Sequence, residues 1–167
     1  SRLVEDLLTL ARGDQGSLPE LAPVEVAELL DDVVASSRAA YPGREIVPGP
    51  AAEFTVIGDH DQLLRAVRNL VSNAATHTRP DGVIEVRAFA SGAGVAIQVA
   101  DQGPGLPPQD AAHVFERFWR ADKARTRARG GTGLGLAIVA SIAQLHHGTV
   151  HFASTVEHGS TVTIWLP

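Results

Sequence analysis

The sequence predicts an α+β fold, a two-layer α/β sandwich in which a mixed, mainly antiparallel sheet is covered on one face by about three helices. Three observations predict this architecture. Long runs with apolar residues at helical spacing alternate along the chain with short runs of β-type residues. Two pairs of those short runs are adjacent, which is typical of hairpins. The 167 residues are 44% hydrophobic, which suffices for one ordinary core.

The chain begins with a helical pattern that is separated from the rest. Leucines recur at helical spacing in residues 2–12, and the Gly- and Pro-rich stretch "GDQGSLPELAP" follows. We therefore place a domain boundary near residue 16, with residues 1–16 as the end of a helix plus a linker and residues 17–167 as a second domain. A helix cut so short buries little surface alone, so we expect it to belong to a unit further upstream in a longer protein.

The next segment predicts two helices among short strands. The stretch "VEVAELLDDVVASSRAAYP" predicts a short strand and then a helix that ends before Pro42, and "REIVP" and "FTVIG" predict two further strands. The helix "DHDQLLRAVRNLVSNAATHT" starts with Asp59 as its N-cap and Gln62 three residues on, which is a capping-box arrangement. The runs "GVIEVRAFA" and "GVAIQVAD" flank "SGAG" and predict a hairpin.

The last third of the chain predicts a loop, a helix and a final hairpin. Between Phe118 and Thr132 the sequence has neither helical nor strand periodicity, which predicts a long mobile loop. Residues 134–146 predict a helix that ends at His146 and His147, and we interpret these histidines as favourable charge at a helix C-terminus. The runs "TVHFAST" and "STVTIWLP" predict the closing hairpin.

The composition argues against several classes of protein. The absence of cysteine excludes disulfides and thiolate metal sites. The net charge of −5 argues against a general nucleic-acid-binding surface. No apolar run reaches the ~18 residues of a membrane span.

The first candidate site is the stretch "GGTGLGL", residues 130–136, at the start of the predicted helix. A helix N-terminus presents free backbone N–H groups and the positive end of its dipole, and glycines let a phosphate approach that backbone closely. A tight turn or a flexible hinge is the alternative. The P-loop and dinucleotide patterns do not fit, because no Lys-Ser/Thr pair follows the glycines and Leu136 stands in place of the third glycine of the fingerprint.

The second candidate is "DQGPG", which follows the apolar run "VAIQVA". Asp101 ends a predicted buried strand, and Gly103 and Gly105 leave bare backbone beside it. Because a carboxylate only accepts hydrogen bonds, Asp101 would suit the exocyclic amine of adenine. The alternative is a strand-to-loop turn in which Asp101 acts as an ordinary turn former.

The third candidate is a pair of amides in the helix that Asp59 caps. Asn69 and Asn73 are four residues apart and therefore share a face. Asparagine is a poor residue for a helix interior, and amide oxygens together with phosphate oxygens and waters can hold Mg²⁺. The alternative is a solvated helix face.

The fourth candidate is the basic stretch "FERFWRADKARTRARGG". From Glu116 to Arg129 it contains six basic and two acidic residues, so it could form a cationic lid over a polyanion. Phe115, Phe118 and Trp119 would anchor the base of that lid. A solvated loop is the alternative, but one ligand, Mg·ATP, would use all four candidates.

The four stretches resemble a known set of motifs. In this order, "NLVSNAATHT", "DQGPG", "FERFWR" and "GGTGLGL" are similar to the N, G1, F and G2 boxes of bacterial sensor histidine kinases. The resemblance covers residues 17–167 and implies the Bergerat fold of the GHKL ATPases, shared with gyrase, Hsp90-type and MutL proteins, with a mobile ATP lid. The N-terminal "RLVEDLLTLAR" resembles the end of the second helix of the dimerisation domain of these kinases.

The resemblance implies a role for each box. Asn73 would ligate Mg²⁺ with Asn69 beside it, and the implied catalytic residues are Asn69, Arg117 and Arg120, with the arginines stabilising charge on the γ-phosphoryl group. Thr76 stands where relatives often carry a lysine, so one phosphate contact is in doubt. The implied nucleotide-binding residues are Asn69, Asn73, His77, Asp101, Gly103, Gly105, Gly131, Thr132, Gly133, Leu134 and Gly135.

The implied activity is transfer of the γ-phosphoryl group of ATP, with Mg²⁺, to a histidine of the upstream dimerisation domain. None of the seven histidines stands in the sequence context of the acceptor. The implied partners are that domain and a response regulator, and we expect the chain itself to be mainly monomeric. We expect a cytoplasmic domain of a membrane-anchored sensor; other GHKL-type ATPases and a nucleotide-sensing module are the alternatives.

Overall fold

Seven strands and four helices follow one another in the computed structural model, which describes residues 19–51, 53–121 and 132–167 together with Val4 and Leu7. The strands are β1 (Ala22–Glu25), β2 (Glu45–Ala51), β3 (Thr55–Gly58), β4 (Val83–Ser91), β5 (Gly94–Asp101), β6 (Thr149–Thr155) and β7 (Gly159–Leu166). The helices are α1 (Val26–Ala40), α2 (His60–His77), α3 (Pro108–Ala111) and α4 (Gly135–Leu145).

Five of the strands form the main sheet, in the order β2-β4-β5-β7-β6. β2 runs parallel to β4, and the other neighbours are antiparallel. β2 contains Pro48 and Pro50, and its register with β4 shifts between Pro48 and Ala51. The two predicted hairpins are confirmed, as is a mixed, mainly antiparallel sheet. β1 and β3 form a separate antiparallel pair, which we did not predict.

The core lies between the main sheet and the three long helices, which pack on one of its faces. In α2 the predicted apolar face is buried, from Leu63 through Val67 and Leu70 to Ala74. In β4, Ile84 and Val86 are buried while the residues between them are not, as expected for a strand with one face on the core. The predicted sandwich is therefore confirmed.

Asp59 caps α2 as predicted. Its Oδ1 accepts from the Gln62 backbone N–H at 3.1 Å, and its Oδ2 accepts from the Gln62 side-chain amide at 3.0 Å. In a capping box the residue at Gln62 would instead accept from the N–H of the cap. That N–H is already used, because it donates to Nε2 of His146 at 2.9 Å.

This bond corrects our interpretation of His146 as helix-terminal charge. The ring is 3% exposed, and its Nδ1 lies 2.7 Å from the Ile142 carbonyl oxygen. Since the N–H of Asp59 can only donate, Nε2 must offer a lone pair, and the hydrogen lies on Nδ1, which donates to Ile142. His146 is therefore a neutral ring that joins α4 to α2. His147, which follows, is exposed and has a φ of 57°.

Several predictions concern residues outside the described part of the chain. Of the helix predicted over residues 2–12, Val4 and Leu7 are described, and both are helical. The boundary near residue 16 stays a prediction, as does the mobility of the loop, of which residues 122–131 are not described. Among the described residues, no helix combines the length and apolar character that a bilayer crossing requires.

Candidate functional site

Asp101 forms a half-buried acceptor at the end of β5. The backbone N–H of Gly103 donates to its Oδ1 at 2.7 Å, and Ser160 faces it on β7. Burial raises the pKa of the Asp101 carboxyl above its ordinary value, although the backbone hydrogen bonds of Gly103 and Ser160 and the charge of His77 act in the opposite direction. The carboxylate is thus partly desolvated, with one oxygen held by the loop that follows it.

Two glycines bring this loop against its neighbours. A Cβ on Gly103 would lie 2.7 Å from Oδ1 of Asp101 and 3.3 Å from the carbonyl oxygen of His77. Gly105 has a φ of +65°, and a Cβ there would collide with the carbonyl oxygen of Thr155. The structure therefore brings together Asp101, Gly103 and His77, three residues that the sequence predicted for one site.

Thr78 belongs to the same cluster, and sequence reasoning missed it. It follows α2, is 3% exposed, and lies near enough to Asp101 for its side chain to lower the pKa of that carboxyl. Its buried hydroxyl has no hydrogen-bond partner of normal geometry within the described part of the chain. A buried threonine directly after a polar helix face was the available signal, because a hydroxyl in such a place needs a partner.

Asn69 and Asn73 lie on α2 as predicted, and both are half-buried. Nδ2 of Asn69 is buried and has no hydrogen-bond partner among the described residues. Asn69 also borders a cavity of about 670 Å³ between α1 and α2. The described residues that line this cavity do not include Asn73 or Asp101, so it does not enclose the whole predicted site. The lining residues are Ser36, Ser37, Ala40, Tyr41, Asp61, Leu64, Arg65, Arg68, Asn69 and Ser72.

The two ends of the predicted lid meet at Phe118 and Gly133. The N–H of Phe118 donates to the carbonyl oxygen of Gly133 at 2.9 Å, and the residues have φ values of 62° and 71°. A Cβ on Gly133 would lie 3.0 Å from Cα of Phe118. The F-box and G2-box segments are therefore pinned together where the loop begins and ends.

Of the three predicted aromatic anchors of the lid, Phe118 does not anchor it through its side chain. Phe115 packs against the core and Trp119 is half-buried, but the side chain of Phe118 is 59% exposed. The left-handed backbone of Phe118 is held by its bond to Gly133, so this residue anchors the loop through its main chain.

The arginines of the F box differ in their surroundings. Arg117 is exposed and interacts with other residues. Arg120 is half-buried, and its Nε and Nη2 are inaccessible and lack a hydrogen-bond partner among the described residues. Three unpaired guanidinium hydrogens in a buried position favour an anionic ligand beside Arg120.

The glycine-rich stretch also requires one correction. The side chain of Leu134 is fully buried in the core, so only its backbone could reach a nucleotide. Thr132 accepts from the Leu134 N–H at 3.4 Å. Gly135 starts α4, and a Cβ there would meet no atom of the described residues within 4 Å, so this part of the chain leaves the space beside the helix start open. Gly131 lies outside the described residues.

The comparisons with known proteins identify the family of this chain. Residues 58–167 match the family described as histidine kinase-, DNA gyrase B-, and HSP90-like ATPases. The chain therefore belongs to that family, which confirms the predicted resemblance and its GHKL ATPase fold.

Two similar proteins, TcrY and MprB, are described as sensor histidine kinases. TcrY of Mycobacterium tuberculosis, described as a probable sensor histidine kinase, is 40% identical over 93% of this chain and 33% of its own length. A structure of the mycobacterial sensor histidine kinase MprB is 35% identical, with a TM-score of 0.79 over 87% of this chain and 97% of that one. Full-length ShkA is 32% identical, with a TM-score of 0.85 over 99% of this chain and 35% of that one. The chain thus spans about a third of the length of TcrY.

Proposed function

We propose that this chain binds Mg·ATP and transfers the γ-phosphoryl group to a histidine on the domain that precedes it in a sensor kinase. The family and the similarity to sensor histidine kinases support the reaction. The structure of ShkA was solved in complex with AMPPNP, an ATP analogue, which supports the nucleotide. We place the catalytic domain at residues 17–167 and the end of the dimerisation domain with its linker at residues 1–16.

Asp101 would recognise the base. One carboxylate oxygen is held by Gly103, which leaves acceptor capacity for the exocyclic amine of adenine. The buried hydroxyl of Thr78, which lies near the Asp101 carboxylate, offers a second polar contact to the ring edge. Gly103 and Gly105 let this loop pack closely against Asp101 and Thr155, which fixes the backbone beside the carboxylate.

Asn69, Asn73 and Arg120 would meet the phosphates. The observation that carries the proposal is that both Asn69 and Arg120 keep buried nitrogen donors without a partner among the described residues, as expected where an anionic ligand completes the hydrogen bonding. The amide oxygens of Asn69 and Asn73 fit the hard donor set that Mg²⁺ takes together with substrate phosphates. When bound, Mg²⁺ would neutralise charge on the phosphate oxygens.

The residues of this chain would act by positioning and by electrostatic stabilisation, which suffice for phosphoryl transfer. A lone pair of the acceptor ring forms the new N–P bond while the bond to the bridging oxygen breaks, and ADP leaves with that electron pair. Arg117 and Arg120 would stabilise the charge that develops on the transferred group. The N-terminus of α4, beside the open space at Gly135, would add free N–H donors.

The experiment uses the whole sensor protein and γ-labelled ATP with Mg²⁺. We expect acid-labile, base-stable label on the preceding domain and none on residues 17–167. Asp31 is an exposed carboxylate on α1, so Asp31→Asn is the matched control for Asp101→Asn, which should lose labelling. Label that forms equally in Asp101→Asn and the wild type, or none in the wild type with its cognate stimulus and Mg·ATP, would refute the proposal.

Cellular partners follow from the same proposal. The preceding dimerisation domain supplies the acceptor, and a response regulator would take the phosphoryl group from it. We place the domain on the cytoplasmic side of a membrane-anchored sensor, where ATP is available.

A further inference from the structure

Asp59 joins three parts of the molecule. Its carboxylate caps α2 through Gln62, its backbone N–H donates to His146 at the end of α4, and its Oδ2 accepts from the N–H of Glu20 at 3.1 Å. Glu20 lies at the beginning of the continuously described chain, just before β1. The start of one helix, the end of another and the entering segment are therefore held at one residue.

The two helices joined there carry opposite parts of the proposed site. α2 bears Asn69 and Asn73, and α4 begins at Gly135. The end of α4 lies at the start of α2, and the helices pack along each other, so they run antiparallel. Gly135 is 11 residues before His146, about 16 Å along the axis at 1.5 Å per residue. The same rise from Asp59 reaches Leu70, between the two asparagines.

The ring of His146 packs closely against Gly58, which has no side chain. A Cβ on Gly58 would lie 3.0 Å from Cδ2 of His146 and 2.7 Å from Cδ1 of Leu63. The fold therefore keeps a glycine at the end of β3 and a buried histidine at the end of α4 in direct contact. Neither residue belongs to the nucleotide-binding set described above.

We propose that His146 is a positioning residue for phosphoryl transfer. Through its bond to Asp59 it sets the axial register of α4 against α2. It thereby sets the position of Gly135, along the helix axes, relative to Asn69 and Asn73. The inference rests on the proposed function, since it assigns His146 a part in that same reaction. Phosphoryl transfer depends on alignment more steeply than nucleotide binding does. Loss of the bond between His146 and Asp59 should therefore lower the transfer rate more than the ATP affinity.

The test compares variants in the whole sensor protein. His146→Leu removes both ring hydrogen bonds, whereas the side-chain oxygen of His146→Gln can still accept from Asp59. Gly58→Ala keeps the histidine and displaces its ring. His151 is an exposed histidine on β6, and His151→Leu is the control for loss of a histidine as such. Each variant is assayed below its own unfolding midpoint for ATP affinity and for the initial rate of phosphohistidine formation.

We expect His146→Leu and Gly58→Ala to bind ATP within about threefold of the wild-type affinity. Their rate of phosphoryl transfer should be about one tenth of the wild-type rate or lower. His146→Gln should recover most of the rate, and His151→Leu should match the wild type. Nitrogen NMR of the wild-type chain should show His146 with hydrogen on Nδ1 and none on Nε2.

Two results would overturn the inference while leaving the proposed function intact. One is a wild-type transfer rate in Gly58→Ala or in folded His146→Leu. The other is a hydrogen on Nε2 of His146 in the wild-type chain. A wild-type protein that binds no Mg·ATP would instead overturn the proposed function, and the role of His146 with it.

Discussion

Replacing Asp101 by asparagine should weaken ATP binding by about 30-fold. A hydrogen bond to a charged group is worth roughly 1.5–3 kcal/mol. Asparagine offers one oxygen and one N–H₂ group, and the N–H of Gly103 already takes one acceptor at 2.7 Å. The N–H₂ group then faces the adenine amine, where two donors oppose each other. Because burial raises the pKa of the Asp101 carboxyl, the charged side chain also carries a desolvation cost that asparagine avoids, so we take about 2 kcal/mol.

The assay is calorimetric titration of the chain with Mg·ATP and with the triphosphate of purine riboside, which lacks the exocyclic amine. The wild type should prefer ATP by about 30-fold, and Asp101→Asn should lose this preference for ATP. Asp31→Asn is the control, and circular dichroism checks the fold of each variant. If Asp101→Asn distinguishes the two nucleotides as well as the wild type does, Asp101 does not contact the amine, and the site is misassigned.

Three further predictions test other parts of the site. Since burial raises the pKa of Asp101 and only its ionised form is a full acceptor, ATP affinity should fall as the pH is lowered, and the fall should begin at a higher pH than an ordinary aspartate would give. A titration series that stays flat would contradict this, and Asp101→Asn should lack the slope. Thr78→Val removes a buried hydroxyl that has no hydrogen-bond partner of normal geometry among the described residues and that lies near the Asp101 carboxylate, so it should weaken ATP binding by about fivefold with little change in urea stability. Reduced stability with normal affinity would assign Thr78 to the scaffold. Gly133→Ala should lower the free energy of unfolding by about 1–2 kcal/mol, because φ is +71° and its Cβ would lie 3.0 Å from Phe118. Gly135→Ala, whose Cβ would meet no described atom within 4 Å, should keep the stability and weaken ATP binding. Equal urea unfolding curves for Gly133→Ala and the wild type would contradict the close contact between Phe118 and Gly133.

Local signals in the sequence predicted most of the fold. The apolar face of α2 and the cap at Asp59 follow from helical periodicity and from an aspartate followed by glutamine three residues on, both of which act within a few residues. The two hairpins follow from alternation on either side of short turns. The pairing of β1 with β3 was not predicted, although a strand was expected in each place. Both strands have only four residues and are separated by a whole helix, so no local pattern indicates that they pair.

The sequence indicated residue types for the site, whereas their contacts are given by the structure alone. Asp101, Gly103 and His77 come together as expected. Leu134 was included as a residue that the resemblance implies, and the structure buries its side chain in the core at the N-cap of α4. Thr78 and His146 were not recognised, because their importance lies in contacts with residues distant in the chain: Asp59 is 87 positions from His146. A histidine at a helix end can be a charge or a neutral bridge, and only its partners distinguish the two.

The position of β2 at one border of the main sheet has a consequence for crowded conditions. An outermost strand exposes unpaired main-chain groups on which a strand of another molecule could add and begin an aggregate. Pro48 and Pro50 supply no N–H donors, and the register shift after Pro48 interrupts the straight ladder that such an addition needs. Copies of this domain brought to high local concentration are therefore protected on that side against edge-to-edge polymerisation.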